Sequence, residues 1–153
     1  MTGPFLTRET VSLNVDASNW ESAVRAVGDV MQKQGLVESR YIDSMVNVVK
    51  ELGPYIVLAP GIALAHARPE DGALATGIGL VTLREPVAFG SVANDPVKIV
   101  IGLASTDNTS HIGLLKQICE FLEEDANVSI LRNATDGEAV VALINGYGRE
   151  KVK

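Results

Sequence analysis

The two histidines of this chain are its strongest candidates for chemistry. His66 ends the small and apolar run "APGIALA" and stands shortly before the turn "PEDG". Neutral imidazole is a good nucleophile toward phosphorus, and its ordinary pKa of about 6.5 leaves it mostly neutral near pH 7. At the end of a strand, the backbone of such a residue is held by the sheet, and the adjacent loop leaves its side chain accessible. His66 is therefore a candidate nucleophile, although an unused core histidine fits the same pattern.

Arg68 follows His66 by two positions and is a candidate phosphate ligand. Its guanidinium could donate hydrogen bonds to phosphate oxygens. The competing interpretation is a surface ion pair with Glu70 or Asp71, which would contribute little to stability. The sequence leaves both interpretations open.

His111 lies in "NTSHIGLLKQI", in the first turn of a predicted helix. Helix N-termini present free amides and a partial positive charge, which favour anions. Thr109 or Ser110 could cap this helix, or their hydroxyls could reach a phosphate. If the sheet brings His111 beside His66, one imidazole could accept a phosphoryl group while the other steadies it. The alternative is that His111 is an exposed residue at the start of the helix and has no catalytic role.

The sequence contains no motif of a metal site, a serine hydrolase or a nucleotide-binding phosphate loop. The chain has no H-x3-H pair and no C-x-x-C, so we expect no metal site. It has no G-x-S-x-G elbow and no G-x-x-x-x-G-K-[ST] phosphate loop. Its single cysteine, Cys119, falls on the predicted apolar face of a helix and fits a small core residue. We expect no cofactor.

Composition narrows the class of protein further. The net charge is -6, which disfavours binding to nucleic acid or to an anionic membrane surface. No apolar run approaches the length of a membrane span, so no direct membrane insertion is expected. The N-terminus lacks a secretory signal, and one cysteine fits a reducing compartment, so the expected location is cytoplasmic. The length and the 46% hydrophobic content predict a single domain over residues 1–153.

The apolar patterns predict the elements that must position these residues. Strands are predicted over residues 11–15, 55–59, 62–65, 76–83 and 97–105. Helices are predicted up to Gly35, over 39–52, after Asn108, over 128–131 and over 137–147. In the helix after Asn108, the predicted inner face carries Ile112, Leu115, Cys119 and Leu122. The order of elements predicts an α/β fold with a mixed β-sheet flanked by helices.

The stretch "GPYIVLAPGIALAHARPEDGA", residues 53–73, resembles the enzyme IIA domains of the bacterial phosphoenolpyruvate-dependent sugar phosphotransferase system. The resemblance is to the mannitol/fructose type, and within it to the ascorbate-specific subgroup. It continues through "GIGLVTLREPVAFGSVANDPVKIVIGLASTDNTSHIGLLKQICEFLEED". It implies an α/β fold whose mixed sheet has helices on both faces, and a phosphohistidine mechanism.

The resemblance also implies roles for individual residues. His66 matches the phosphorylated histidine, reacting through Nε2, and His111 matches a second histidine that stabilises the phosphoryl group. Lys50 falls where the family has a basic residue upstream, although lysine lacks the planar fork of arginine. The chain departs from the usual Pro-His-Gly, because it reads Ala65-His66-Ala67. The loop geometry should therefore differ somewhat from that of the family.

The partners implied by the resemblance are proteins. The small carrier HPr would donate the phosphoryl group, a cysteine of an enzyme IIB would accept it, and a membrane enzyme IIC would take part only indirectly. The active face should be a shallow depression with an apolar rim. Two alternatives stay open: a phosphorylation-dependent regulatory or binding module with the same fold, and a structural domain with an idle histidine. A carrier and a regulator differ at the acceptor, since both would be phosphorylated on His66.

Overall fold

The strands form one mixed sheet in the computed structural model, which describes residues 6–152 apart from the side chains at positions 108, 110, 111 and 147–152. The five described strands are β1 (Val11–Val15), β2 (Val57–Ala59), β3 (Ile62–Ala65), β4 (Gly77–Val87) and β5 (Val97–Ala104). Their order across the sheet is β1-β4-β5-β3-β2. The pairs β1–β4 and β3–β5 are parallel, whereas β4–β5 and β2–β3 are antiparallel.

Five helices connect and cover these strands: α1 (Trp20–Lys33), α2 (Ser39–Leu52), α3 (Asn108–Leu122), α4 (Asp125–Arg132) and α5 (Gly137–Val152). Local signals explain the bounds of the first two. The Asn19 side chain accepts a hydrogen bond from the Ser22 amide and so caps α1. Gly35 and Gly53 follow α1 and α2 with φ of 75° and 83°, the left-handed region that glycine enters without strain. No helix within residues 6–152 has both the length and the apolar character that a membrane crossing requires.

Both faces of the sheet are covered by helices. Along β5, Val100 and Ala104 belong to the apolar cluster that includes the inner faces of α1 and α2. The alternating residues Ile99, Ile101 and Leu103 belong to the cluster on the α3, α4 and α5 side. This period of two places every second side chain of a doubly covered strand in each core. The predicted mixed sheet with helices on both faces is confirmed.

Two facing glycines let α1 approach the sheet closely. Gly79 of β4 and Gly102 of β5 are cross-strand partners. A Cβ added at Gly79 would lie 2.8 Å from Met31 Cγ, and one at Gly102 would lie 2.4 Å from Met31 Sδ. Met31 is fully buried. Because Gly79 and Gly102 have no Cβ, the space above them is open, and the Met31 side chain fills it.

Gly102→Ala is expected to lower the free energy of unfolding by about 1–3 kcal/mol, because the new methyl group overpacks the α1–sheet contact. Urea denaturation followed by circular dichroism measures this. Gly113→Ala is the matched control: a Cβ there meets no described atom within 4 Å, and α3 should gain up to about 1 kcal/mol of helix propensity. Equal effects of the two substitutions would mean that the α1–sheet contact is not tightly packed.

Three predictions about the elements need correction. Residues 55–59 are not one strand, because Pro54–Ile56 form a 3-10 turn and β2 begins only at Val57. β4 extends beyond the predicted end to Val87, through residues that are exposed. The predicted inner face of α3 is only partly right: Leu122 is buried and Leu115 packs against the core, but Ile112 is exposed and Cys119 is half-buried. The other buried residues of α3 are Leu114, Ile118 and Phe121.

Candidate functional site

His66 directly follows β3, at the end of the strand pair formed with β5. Its Nδ1 lies 3.1 Å from the carbonyl oxygen of Leu64. A carbonyl oxygen can only accept a hydrogen bond, so this contact requires the hydrogen on Nδ1. In the neutral ring, Nε2 then carries the lone pair. The backbone of β3 thus selects the tautomer whose nucleophilic atom is Nε2.

Tyr55 contacts the other nitrogen of the His66 ring. Its hydroxyl oxygen lies 3.5 Å from Nε2, at the long end of hydrogen-bond distances. The two rings meet edge to face, with centroids 6.1 Å apart and planes at 82°. Tyr55 is 48% exposed and comes from the 3-10 turn between α2 and β2. The sequence does not reveal this contact, because the apolar run 55–59 has the pattern of a strand.

His66 lines a surface depression of about 630 Å³. One wall is the outer side of α2, and the opposite wall is the loop after β3. Leu52, 67% exposed, and Tyr55 give the depression large apolar side chains open to solvent. These two side chains fit the expected apolar rim, whereas much of the remaining lining is polar or charged. The lining residues are Ser44, Asn47, Val48, Glu51, Leu52, Tyr55, His66, Ala67, Arg68, Pro69 and Asp71.

Tyr41 of α2 anchors the backbone just after His66. The Ala67 amide donates to the Tyr41 hydroxyl oxygen at 3.0 Å. That hydroxyl has acceptors in the carbonyl oxygens of Leu103, at 2.7 Å, and Ala67, at 3.1 Å. Tyr41 is 0% exposed, and burial raises its pKa to about 12. The network joins α2, the end of β5 and the His66 loop through one buried side chain.

The Tyr41 network also explains how the loop keeps its conformation with Ala65 and Ala67 in place of the usual proline and glycine. Among the described non-glycine residues, Asn14 alone has a positive φ, so Ala67 does not need the left-handed backbone that a glycine would permit. The amide of Ala67 is satisfied by Tyr41. In the sequence Tyr41 is one residue of the apolar stripe of α2, and a stripe does not reveal where a hydroxyl points.

Further hydrogen bonds hold the far end of the loop against the α1–α2 connection. The Glu38 amide donates to the Gly72 carbonyl at 2.8 Å, and the Leu74 amide donates to the Leu36 carbonyl at 2.8 Å. Arg40 Nη1 donates to the Glu70 carbonyl at 3.0 Å. The loop that carries His66 is thus fixed at both ends, which favours a preorganised site.

Arg68 lies on the wall of the depression that also contains His66. Its Nε is 3.6 Å from Asp71 Oδ2 and 4.0 Å from a carboxylate oxygen of Glu70. The Arg68 side chain is 77% exposed, so these ion pairs are weak and easily exchanged. The surface ion pair foreseen from the sequence is present, and it leaves the guanidinium able to turn toward an anion in the depression.

Lys50 is not brought together with His66 and Arg68. Its ammonium lies 3.7 Å from Glu21 of α1. The described lining of the depression includes its neighbour Glu51 but not Lys50. The basic wall of the depression is therefore supplied by Arg68.

The remaining candidates, Thr109, Ser110 and His111, lie in the first turn of α3. Thr109 is exposed, whereas the side chains of Ser110 and His111 lie outside the described residues.

The backbone nevertheless relates the first turn of α3 to His66. α3 begins shortly after β5, and β5 runs parallel to its neighbour β3, with Gly102 opposite Ala65. The start of α3 and His66 thus lie at the same edge of the sheet.

Comparisons with known proteins agree with one another. The family model "Phosphoenolpyruvate-dependent sugar phosphotransferase system, EIIA 2" matches residues 4–147. An ascorbate-specific PTS system EIIA component from Salmonella choleraesuis (strain SC-B67) is 38% identical over 138 residues, 89% of each chain.

Two solved structures from Escherichia coli have the same fold. The mannitol-specific cryptic phosphotransferase enzyme IIA matches with a TM-score of 0.83 at 31% identity, covering 93% of this chain and 96% of its own. A chain from the complex of enzyme IIAMTL and phosphorylated enzyme IIBMTL matches with a TM-score of 0.81 at 29% identity, covering 92% and 97%. This chain therefore belongs to the EIIA 2 family of the phosphoenolpyruvate-dependent sugar phosphotransferase system, and it is a phosphotransferase component of that system.

Proposed function

We propose that His66 is the phosphoryl-carrying residue of this component and that it reacts through Nε2. The observation that carries the proposal is the Nδ1 contact with the Leu64 carbonyl, which leaves the lone pair on Nε2 at a surface depression. A carrier that exchanges phosphoryl groups with other proteins needs such a nucleophile within reach of a partner's side chain. The apolar rim formed by Leu52 and Tyr55 suits docking of that partner.

The transfer from HPr is a displacement at phosphorus. The Nε2 lone pair of His66 attacks the phosphorus of the HPr phosphohistidine, and the donor nitrogen leaves with the electrons of the broken P–N bond. Because Nδ1 keeps its hydrogen throughout, no proton has to enter or leave the His66 ring. The phosphorylated ring is then a cation, and the Leu64 carbonyl accepts its Nδ1–H.

The onward transfer reverses these roles. A cysteine thiolate of enzyme IIB attacks the phosphorus, and the electrons of the P–Nε2 bond return to His66 as neutral imidazole. A neutral leaving group makes this step easy, which a reversible carrier requires. Enzyme IIB is the proposed acceptor because a structural relative of this chain was solved with phosphorylated enzyme IIB. Ascorbate is the proposed sugar, because the curated relative is described as ascorbate-specific; a membrane enzyme IIC would transport it.

The net charge of -6 opposes approach of a phosphorylated partner, so local positive charge must compensate at the site. Arg68 supplies it on the wall beside His66, and the N-terminal turn of α3, which holds Thr109, Ser110 and His111, lies at the same sheet edge. We propose His111 as the second histidine that stabilises the phosphoryl group. Positioning and charge stabilisation, not covalent chemistry by further side chains, then supply most of the catalysis.

Arg68→Gln is expected to slow phosphoryl acceptance by roughly 10-fold, because a charge-assisted hydrogen bond to the transferring group is lost. Stability should change by less than about 1 kcal/mol, because the ion pairs of Arg68 are exposed. Rapid-quench phosphorylation by phospho-HPr measures the rate. Arg84→Gln is the charge-matched control, since Arg84 pairs with Asp16 and is absent from the described lining. An equal loss in both variants would show that net charge, and not the position of Arg68, sets the rate.

Intact-mass spectrometry with phosphoenolpyruvate, enzyme I and HPr tests the proposed function. The carrier gains one acid-labile phosphoryl group and loses it again when an ascorbate-specific enzyme IIB is added. A phosphorylated protein that passes the group to no enzyme IIB would favour the regulatory alternative. A protein that stays unmodified beside a working donor system would refute both.

A further inference from the structure

Tyr55 occupies a position that the proposed mechanism has not yet used. Its hydroxyl oxygen stands 3.5 Å from Nε2, the atom that would carry the phosphoryl group. The residue is held at its backbone by the 3-10 turn Pro54–Ile56, while about half of its side chain is open to solvent. A phosphoryl group on Nε2 extends from the ring by one N–P and one P–O bond. Its oxygens therefore enter the space that the hydroxyl now spans.

We propose that Tyr55 is a phosphoryl-binding residue: its hydroxyl donates to Nε2 of unphosphorylated His66 and, after transfer, to an oxygen of the phosphoryl group. The inference rests on the proposed function of His66. It needs no new covalent step, since one hydrogen bond is exchanged for another. The hydroxyl proton stays on Tyr55 throughout.

The chemistry of the two partners requires this exchange. A hydroxyl has one hydrogen, and the Nε2 lone pair accepts it only while that lone pair is free. Once the P–N bond has formed, Nε2 can no longer accept, and the nearest new acceptors are the anionic phosphoryl oxygens. Burial raises the pKa of Tyr55 above its usual value near 10, so the hydroxyl keeps its hydrogen at neutral pH.

The strengths of the two hydrogen bonds differ in favour of the phosphorylated state. The contact with Nε2 is long and joins two neutral groups, so little is lost when it breaks. A hydrogen bond to a charged oxygen is about twice as strong as one between neutral groups. Tyr55 should therefore raise the fraction of the chain that holds the phosphoryl group at equilibrium with HPr.

The test is the equilibrium constant for phosphoryl exchange between HPr and this chain, for wild type and Tyr55→Phe. Phenylalanine keeps the ring and its apolar contribution to the rim while it removes the hydroxyl. The equilibrium constant between the free proteins depends only on their phosphorylated and unphosphorylated states, so docking cannot change it. We expect Tyr55→Phe to lower this constant about tenfold, because the variant cannot form the charge-assisted hydrogen bond to the phosphoryl group. Leu52→Ala, which trims the same rim, should raise the KM for HPr and leave the constant unchanged.

The outcomes separate the two proposals. If Tyr55→Phe is phosphorylated on His66 with a constant within twofold of the wild-type value, the role of Tyr55 is refuted while the carrier function stands. A larger constant in the variant would also refute it, because the hydroxyl would then favour the unphosphorylated state. If wild type is not phosphorylated on His66 at all, the carrier function itself fails.

Discussion

His66→Ala is expected to abolish phosphoryl acceptance, with a rate loss on the order of 10⁴-fold or more, because no other described group lies where Nε2 stands. The fold should survive the substitution. The His66 side chain is only half-buried, and its loop is held through Tyr41 and the backbone bonds of Glu38 and Leu74. A change in unfolding free energy of no more than about 1 kcal/mol is expected. Intact-mass analysis after incubation with phospho-HPr measures the acceptance.

His111→Ala serves as the histidine control for that experiment. The proposed role of His111 is to steady the group and not to carry it, so this variant should still gain one phosphoryl group. An undiminished gain in His66→Ala would overturn the assignment. A gain lost only in His111→Ala would exchange the roles of the two histidines.

Tyr41→Phe is expected to cost about 1–3 kcal/mol of unfolding free energy and to slow phosphoryl acceptance roughly 10-fold. The variant removes the hydroxyl that serves as hydrogen-bond partner of the Ala67 amide and the Leu103 carbonyl, in a fully buried place. It also loosens the backbone that positions His66, and small displacements of a nucleophile are costly. Under conditions where the variant is fully folded, kcat should fall while the KM for HPr stays unchanged. A loss of stability with an unchanged kcat would make Tyr41 a purely structural residue.

The same substitution has a signature at alkaline pH. The pKa of Tyr41 is raised to about 12 in the folded chain by burial, compared with about 10 when the chain is unfolded. The unfolded state therefore loses this proton first, and wild-type stability should fall as pH rises from about 10 to about 12. Denaturation curves across this interval should show a shallower decline for Tyr41→Phe, which lacks the phenol. Equal declines would contradict the buried environment of Tyr41.

Much of the fold could be predicted because local signals coincide with real boundaries. The helix predicted over 39–52 has the observed bounds of α2, since its apolar stripe ends where Gly53 breaks it. The nearly continuous apolar character of 97–105 correctly predicts a strand covered on both faces, which ends at Ala104. Strand direction carries no such local signal. That β3 and β5 run parallel, with α3 beginning at the same edge of the sheet as His66, follows only from the tertiary arrangement.

The sequence points to the histidine of the candidate site but not to its tyrosines, for physical reasons. Tyr41 looks like one more apolar residue of a helix stripe, because its ring is core while its hydroxyl bridges two segments distant in sequence. Tyr55 begins an apolar run whose pattern predicts a strand over 55–59, and that pattern does not show that the 3-10 turn started by Pro54 includes the first two residues of the run. Lys50 is a candidate only because the resemblance places it where the family has a basic residue, and a resemblance in sequence does not show that its ammonium turns toward Glu21.

The most direct test of the central claim is ¹⁵N and ³¹P NMR of the phosphorylated chain labelled at its histidines. The account predicts a phosphorus–nitrogen coupling to Nε2 of His66. It also predicts a hydrogen retained on Nδ1, which the Leu64 carbonyl holds in the unphosphorylated state as well. A coupling to Nδ1 of His66, or to either nitrogen of His111, would contradict it.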